Sequence, residues 1–200
     1  MIKNSFANSA TLLRTFRLKW IFCISLVFVS YSMTAQKRVI RFTDVTKRSG
    51  IDFIYTFGDL SYKNIIESSG SGITVFDYNN DNLMDLFMMN GTWLEGISDP
   101  DGKKFINTPD RLYRNNGNGT FTEVAEKAGV NDTNWSMAAG AIDYDNDGDQ
   151  DLYLLNYGPN VFFRNNGNGT FTDITKLTGL RGPDKLNGFV KWSIGASSWA

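Results

Sequence analysis

The stretch RLYRNNGNGTFTEVAEKAGV, residues 111–130, returns as VFFRNNGNGTFTDITKLTGL at 161–180. In both copies apolar and aromatic positions, such as Leu112-Tyr113 and Phe121, flank a short polar segment of sequence Asn-Gly-Asn-Gly. Asn and Gly accept positive φ, which a tight hairpin demands, so 116–119 and 166–169 read as turns between two strands. The sequons Asn118-Gly-Thr and Asn168-Gly-Thr fall in these turns, and turn chemistry accounts for them without a glycan. The second half of the repeat occurs once more, as RFTDVTKRSGI at 41–51.

A different unit alternates with this one. VFDYNNDNLMDLFMMNG (75–91) returns as AIDYDNDGDQDLYLLNY (141–157). Each copy has an apolar strand ending at Phe76 or Ile142, an acidic loop, and a second apolar strand over 86–89 or 152–155. Four short strands recurring at about 50–65 residues have the content of a β-propeller blade. Residues 92–110 are an insertion that makes the spacing uneven. The expected fold is therefore all-β: propeller blades of four-stranded antiparallel sheets, about two of them plus the start of a third. Blades bury their faces only against neighbours, and two cannot close a ring. WSIGASSWA at 192–200 echoes WSMAAGAI at 135–142, which leads straight into Asp143. Residues 36–200 thus read as the N-terminal part of a longer propeller.

The acidic loops carry the chemistry. DYDNDGDQD, residues 143–151, holds five carboxylates in nine residues and has no apolar face to bury. The side chains of Asp143, Asp145, Asp147 and Asp151 can converge on one point, joined by the backbone carbonyl of Asp149, whose carboxylate is expected to face solvent. Gly148 allows the sharp turn this needs. Such a set supplies hard oxygen ligands for a cation that takes 6–8 of them at about 2.3–2.6 Å, which is calcium. The earlier loop repeats the spacing with Asp77, Asn79, Asp81, the carbonyl of Leu83, and Asp85. It has one amide for a carboxylate, and Asn82 where the later loop has Gly. An EF-hand would need a glutamate at the twelfth position, where Met88 and Leu154 stand within strands.

Charge and composition remove several function classes. No Asp or Glu precedes Asp44, whereas Lys3, Arg14, Arg17 and Lys19 precede the apolar run 20–29, and Met33-Thr34-Ala35 follows it. Residues 1–35 read as a secretory signal peptide, too short in its apolar core for a membrane span of about 20 residues. Without them 16 basic side chains face 21 acidic ones, a net charge of −5. That balance argues against nucleic acid as a partner. The chain has no histidine, and its one cysteine, Cys23, lies in the signal segment. Ser-His and Cys-His nucleophiles and His/Cys zinc sites are excluded within these residues.

Taken together, these motifs resemble the FG-GAP/VCBS-type repeats of integrin-α-like propellers. Within them the chain is similar to the secreted family of cartilage acidic protein and the ASPIC/UnbV proteins. The resemblance rests on Gly50-Ile-Asp-Phe, on YKNIIESSGSG at 62–72, and on the acidic loop and strand over 76–91. It implies a seven-bladed, calcium-stabilised propeller exported from the cell and acting in adhesion or recognition. Asn82 departs from the usual glycine. The expected function is a secreted or cell-surface calcium-binding scaffold, non-enzymatic, with a protein or glycan ligand. The alternative is a propeller lyase or hydrolase acting on polysaccharide, for which Glu67 and residues 92–110 are the unassigned candidates. Trp93, Trp135 and Trp192 are read as blade packing rather than as sugar platforms.

Overall fold

A computed structural model describes residues 40–59, 61, 63–69 and 71–196. The signal segment, and residues 197–200 of the C-terminal echo, lie outside them. The chain divides into two units, Met1–Asp44 and Val45–Ala200, and of the first only residues 40–44 are described. These are in no helix or strand.

The second unit contains two four-stranded antiparallel sheets. The first runs β1 (Ile73–Phe76), β2 (Asp85–Met88), β3 (Arg111–Asn115), β4 (Phe121–Glu123), with hydrogen-bonded neighbours in that order. The second repeats it with β5 (Trp135–Ile142), β6 (Asp151–Tyr157), β7 (Val161–Asn165) and β8 (Phe171–Asp173). Corresponding registers match: Phe76 pairs with Asp85 as Ile142 pairs with Asp151, and Asn115 pairs with Phe121 as Asn165 pairs with Phe171. The predicted turns close both hairpins, Asn116 N–H donating to Thr120 O and Asn166 N–H to Thr170 O, each at 2.9 Å. Gly117, Gly119, Gly167 and Gly169 all have φ between 68° and 82°, the left-handed region. The chain is all-β, built of four-stranded antiparallel blades.

Three features depart from the sequence reading. Each F-T-[DE]-[VI] segment runs into one helical turn, at Ala125–Ala128, Thr175–Thr178 and Thr46–Ser49, where strand alone was expected. Gly129, Gly179 and Gly50 stop these turns with φ of 79°, 69° and 78°, as left-handed C-terminal glycines do. The 41–51 copy keeps only its helical turn. In the full copies the F-T-[DE] strand pairs with a hairpin arm just before it, and no N-G-N-G arm precedes Phe42. Finally, Lys185–Leu186 and Phe189–Val190 (β9, β10) form a hairpin around Asn187-Gly188, an unrecognised Asn-Gly turn.

The sheets face one another across an apolar core that includes Phe76, Phe87, Leu112, Leu152, Leu154, Phe163 and Phe171. Their first strands, β1 and β5, lie side by side, and Thr74 Oγ1 donates to Ala139 O at 2.9 Å. Residues beyond β10 take the same place beside the second sheet. Ser193 N–H donates to Asn156 O at 3.3 Å, as Ser136 N–H donates to Asn90 O at 3.1 Å.

A buried carboxylate ties the blades together. Asp110 accepts the Asn90 N–H and the Ser136 hydroxyl, both at 2.6 Å, joining the end of β2 to β5. Burial pushes its carboxyl well above the usual range, and the Asp132 charge adds to that; the two donated hydrogen bonds offset only part. The folded state therefore holds this proton to higher pH than the unfolded chain does. Its contribution to stability is complete below the unfolded carboxyl pKa and is lost as pH rises through the folded value. Asp110→Asn should accordingly lose less melting temperature than wild type between mildly acidic and mildly alkaline buffer. Parallel thermal melts of the full-length protein check this; equal losses would count against it.

Candidate metal centre

Both acidic loops are organised by the same five hydrogen bonds. The first aspartate accepts two N–H groups across the loop: Asp143 takes those of Asp147 and Gly148 at 3.1 and 3.0 Å. Asp77 takes those of Asp81 and Asn82 at 3.1 and 2.7 Å. The fifth-place aspartate accepts the N–H two residues on, Asp147 from Asp149 and Asp81 from Leu83, at 2.9 Å in both cases. The ninth-place aspartate joins loop to sheet. Asp151 accepts from Tyr144 N–H at 2.9 Å and Asn165 N–H at 2.8 Å, and Asp85 from Tyr78 N–H at 3.1 Å and Asn115 N–H at 2.7 Å.

The wrap requires left-handed residues at two places in each loop. Asn82 has φ 64° and Gly148 has φ 94°, so the first loop keeps its turn despite lacking glycine. The fourth places, Asn80 at 58° and Asn146 at 60°, carry the same conformation.

In the later loop the wrap brings one carboxylate oxygen each from Asp143, Asp145 and Asp151 within 4.8 Å of one another. A cation bonded at about 2.3–2.6 Å separates opposite ligands by about 4.6–5.2 Å, so the trio fits around one ion. Asp147 lies outside the trio. In the earlier loop Asn79 stands in the place of Asp145, and its Nδ2 donates to Asp81 Oδ2 at 3.0 Å. Asp77, Asp81 and Asp85 remain as its carboxylates, with Leu83 at the seventh place. The Asp149 carboxylate, half-buried at the surface, accepts Asn80 Nδ2 at 2.6 Å and so links the two loops.

Electrostatics favour a cation at both ninth-place positions. Burial raises the Asp151 carboxyl above its ordinary value, the Tyr144 and Asn165 N–H groups oppose this, and Asp145 and Asp147 add to it. Asp85 is raised by burial in the same way, with Asn115 and Tyr78 opposing and Asp81 and Asp77 adding. A cation among these oxygens would replace like-charge repulsion with attraction.

Asn115 and Asn165 were missed as site residues because they stand just before the turns read at 116–119 and 166–169, and their role depends on a backbone N–H that no side-chain pattern displays. Their N–H groups hold Asp85 and Asp151, while Asn165 Nδ2 also donates to Tyr78 O of the other loop at 2.8 Å. Glu67 is committed elsewhere. Its Oε2 accepts Lys63 and Asn64 N–H at 2.7 and 2.8 Å, capping the turn Ile65–Ser68. Within the insertion, Asp99 pairs with Lys63 at 2.7 Å and the Trp93 indole N–H donates to Asp99 O. Trp135 is buried in a cluster with Ile66 and Met137, and Trp192 packs edge-on against Tyr157.

Residues 99–154 match the family model of the FG-GAP-like repeat, and residues 143–190 match it again. Over 99–190 the chain is similar to FG-GAP-like repeats, and the two matches overlap on the 143–151 loop and the start of β6. No curated protein matches the chain.

The two loops differ in what their sixth residue costs. A Cβ at Gly148 would meet nothing within 4 Å, so Gly148→Ala tests the backbone conformation alone. It should destabilise the full-length protein by about 1–2 kcal/mol, the cost of left-handed backbone with a Cβ. Asn82→Gly should be neutral or mildly stabilising. Urea unfolding of both variants checks the pair, and an unchanged Gly148→Ala would remove the strain argument.

Proposed function

We propose that the protein is a secreted or cell-surface calcium-binding repeat protein, a non-enzymatic scaffold for recognition or adhesion. The observation that carries this is the shared wrap of the two acidic loops, with Asp143, Asp145 and Asp151 converging in the later one. Every candidate ligand is oxygen, and the chain has no histidine to favour a softer metal. Calcium would be held by Asp143, Asp145, Asp147, Asp151 and the Asp149 carbonyl. In the earlier loop Asp77, Asn79, Asp81, Asp85 and the Leu83 carbonyl would hold it. Its role is structural: it neutralises each loop and so fixes the strand pair that the loop joins.

FG-GAP-like repeats over 99–190 support a scaffold that presents loops to a protein or glycan ligand. Export rests on the 1–35 signal reading, and no helix among the described residues is long and apolar enough to cross a membrane. No observation favours the polysaccharide-cleaving alternative, since Glu67 serves as a cap. Incubation of the full-length protein with a glycan panel separates the two, because released products would overturn the scaffold and retention without cleavage would support it.

Calcium is tested by stability. A ligand bound only to the folded state adds about 2.7 kcal/mol per site when its free concentration is about a hundredfold above Kd. Chelator should therefore lower the melting temperature of the full-length protein. Four side-chain carboxylates attract the ion more strongly than three and an amide, so Asp145→Ala should lose more calcium-dependent stability than Asn79→Ala. Melts of both variants with calcium and with chelator decide the ranking, which equal losses would refute. No shift in wild type would reduce the loops to plain turns.

A further inference from the structure

Beside the first acidic loop lies a cleft of about 260 Å³, lined in part by Tyr78, Asn79, Arg114, Lys127 and Asn168. Three segments meet there: the 77–85 loop, the β3–β4 hairpin with its helical turn, and the β7–β8 turn of the second blade. Two of these five side chains are cations, in a chain whose residues from 36 onward carry a net charge of −5. The ion pairs among the described residues are Lys63–Asp99, Arg111–Glu123 and Arg181–Asp184, and neither Arg114 nor Lys127 takes part. Arg114 donates once, from Nη2 to Asn116 Oδ1 at 3.3 Å, which leaves most of its five donors uncommitted. Asn168 has its Oδ1 occupied by the Thr170 N–H and hydroxyl at 3.1 and 2.6 Å, so its amide group is left as a donor.

We infer that this cleft binds the carboxylate or sulfate group of an acidic saccharide. The inference deepens the recognition scaffold proposed above and rests on that reading. A guanidinium fork matches either anion with two parallel hydrogen bonds, and a lysine ammonium adds a point charge beside it. The Asn168 amide suits the hydroxyls of a sugar ring, and the volume suits roughly one monosaccharide, just below the usual range of small-ligand sites. An acidic peptide is the poorer fit, because the cleft holds no deep apolar pocket for the aromatic or aliphatic anchor on which peptide affinity depends.

Asn79 couples the cleft to the first metal loop, since it lines one and occupies the third place of the other. Without a cation, Asp77 and Asp81 repel an incoming anion. A dication in the loop cancels that repulsion, so calcium and the acidic sugar favour each other's binding, and by linkage the effect is mutual.

Calorimetric titration of the full-length protein tests this with four probes: oligogalacturonate, a sulfated galactan oligosaccharide, a neutral galactan and oligoglutamate. At least one acidic saccharide should bind, and the neutral one should not. Arg114→Gln and Lys127→Gln should each weaken that binding about tenfold, and Arg114→Lys should lose less than Arg114→Gln. Lys127 is exposed and outside the core, so its variant leaves the fold intact. Circular dichroism melts confirm this for both positions. Chelator should weaken acidic-probe binding to wild type.

Equal binding of the neutral probe, acidic-probe binding untouched by both substitutions, or tighter binding of oligoglutamate would overturn the cleft assignment. So would binding of neither acidic saccharide. Retention of other glycans on a panel in those cases leaves the scaffold standing alone. Loss of acidic-probe binding in Arg114→Gln with no response to chelator supports the cleft and removes only its link to calcium.

Discussion

Asp85 and Asp151 are the points on which the rest of the structure turns. Each is a fully buried carboxylate whose two oxygens accept one N–H from its own loop and one from the neighbouring hairpin. Losing either side chain would orphan two backbone donors and free the loop from the sheet. A buried negative charge held only by neutral donors is also expensive, and burial raises both carboxyls. The same placement that secures the blade therefore creates a demand for positive charge at the loop.

The contact between blades mixes two kinds of interaction. Apolar faces supply the area, with Phe87, Leu112, Leu152 and Leu154 fully buried between the sheets. Polar links set the register: Thr74 to Ala139, Ser71 to Ser136, and the Asn90–Asp110–Ser136 chain. Non-directional burial alone would tolerate sliding of one sheet over the other, whereas these bonds are satisfied at one offset only. The face of β1 turned away from the second blade is uncovered among the described residues, with Ile73 and Val75 more than half exposed.

The loops are coupled as well as repeated. Asn80 of the first reaches Asp149 of the second, and Asn165 of the second blade reaches Tyr78 of the first loop. The position of each loop is thus tied to residues of the other blade. The matched hydrogen bonds within each loop explain how Asn82 can replace glycine without dismantling the first site: its N–H is still delivered to Asp77.

Much of this was legible in the chain because it depends on short-range rules. The Asn-Gly-Asn-Gly turns, the strand on each side of them and the alternating carboxylates obey local backbone preferences and spacing, which a sequence displays directly. The helical turns after β4 and β8 were legible too, in the glycine that follows each, yet were overlooked. What only the tertiary structure decided are contacts between residues distant in the chain. Asp110 meeting Ser136, Asn165 meeting Asp151 and Tyr78, and Asn80 meeting Asp149 all depend on the offset at which one blade packs on the next. That offset is set by how two apolar faces interlock, and no spacing within either repeat encodes it.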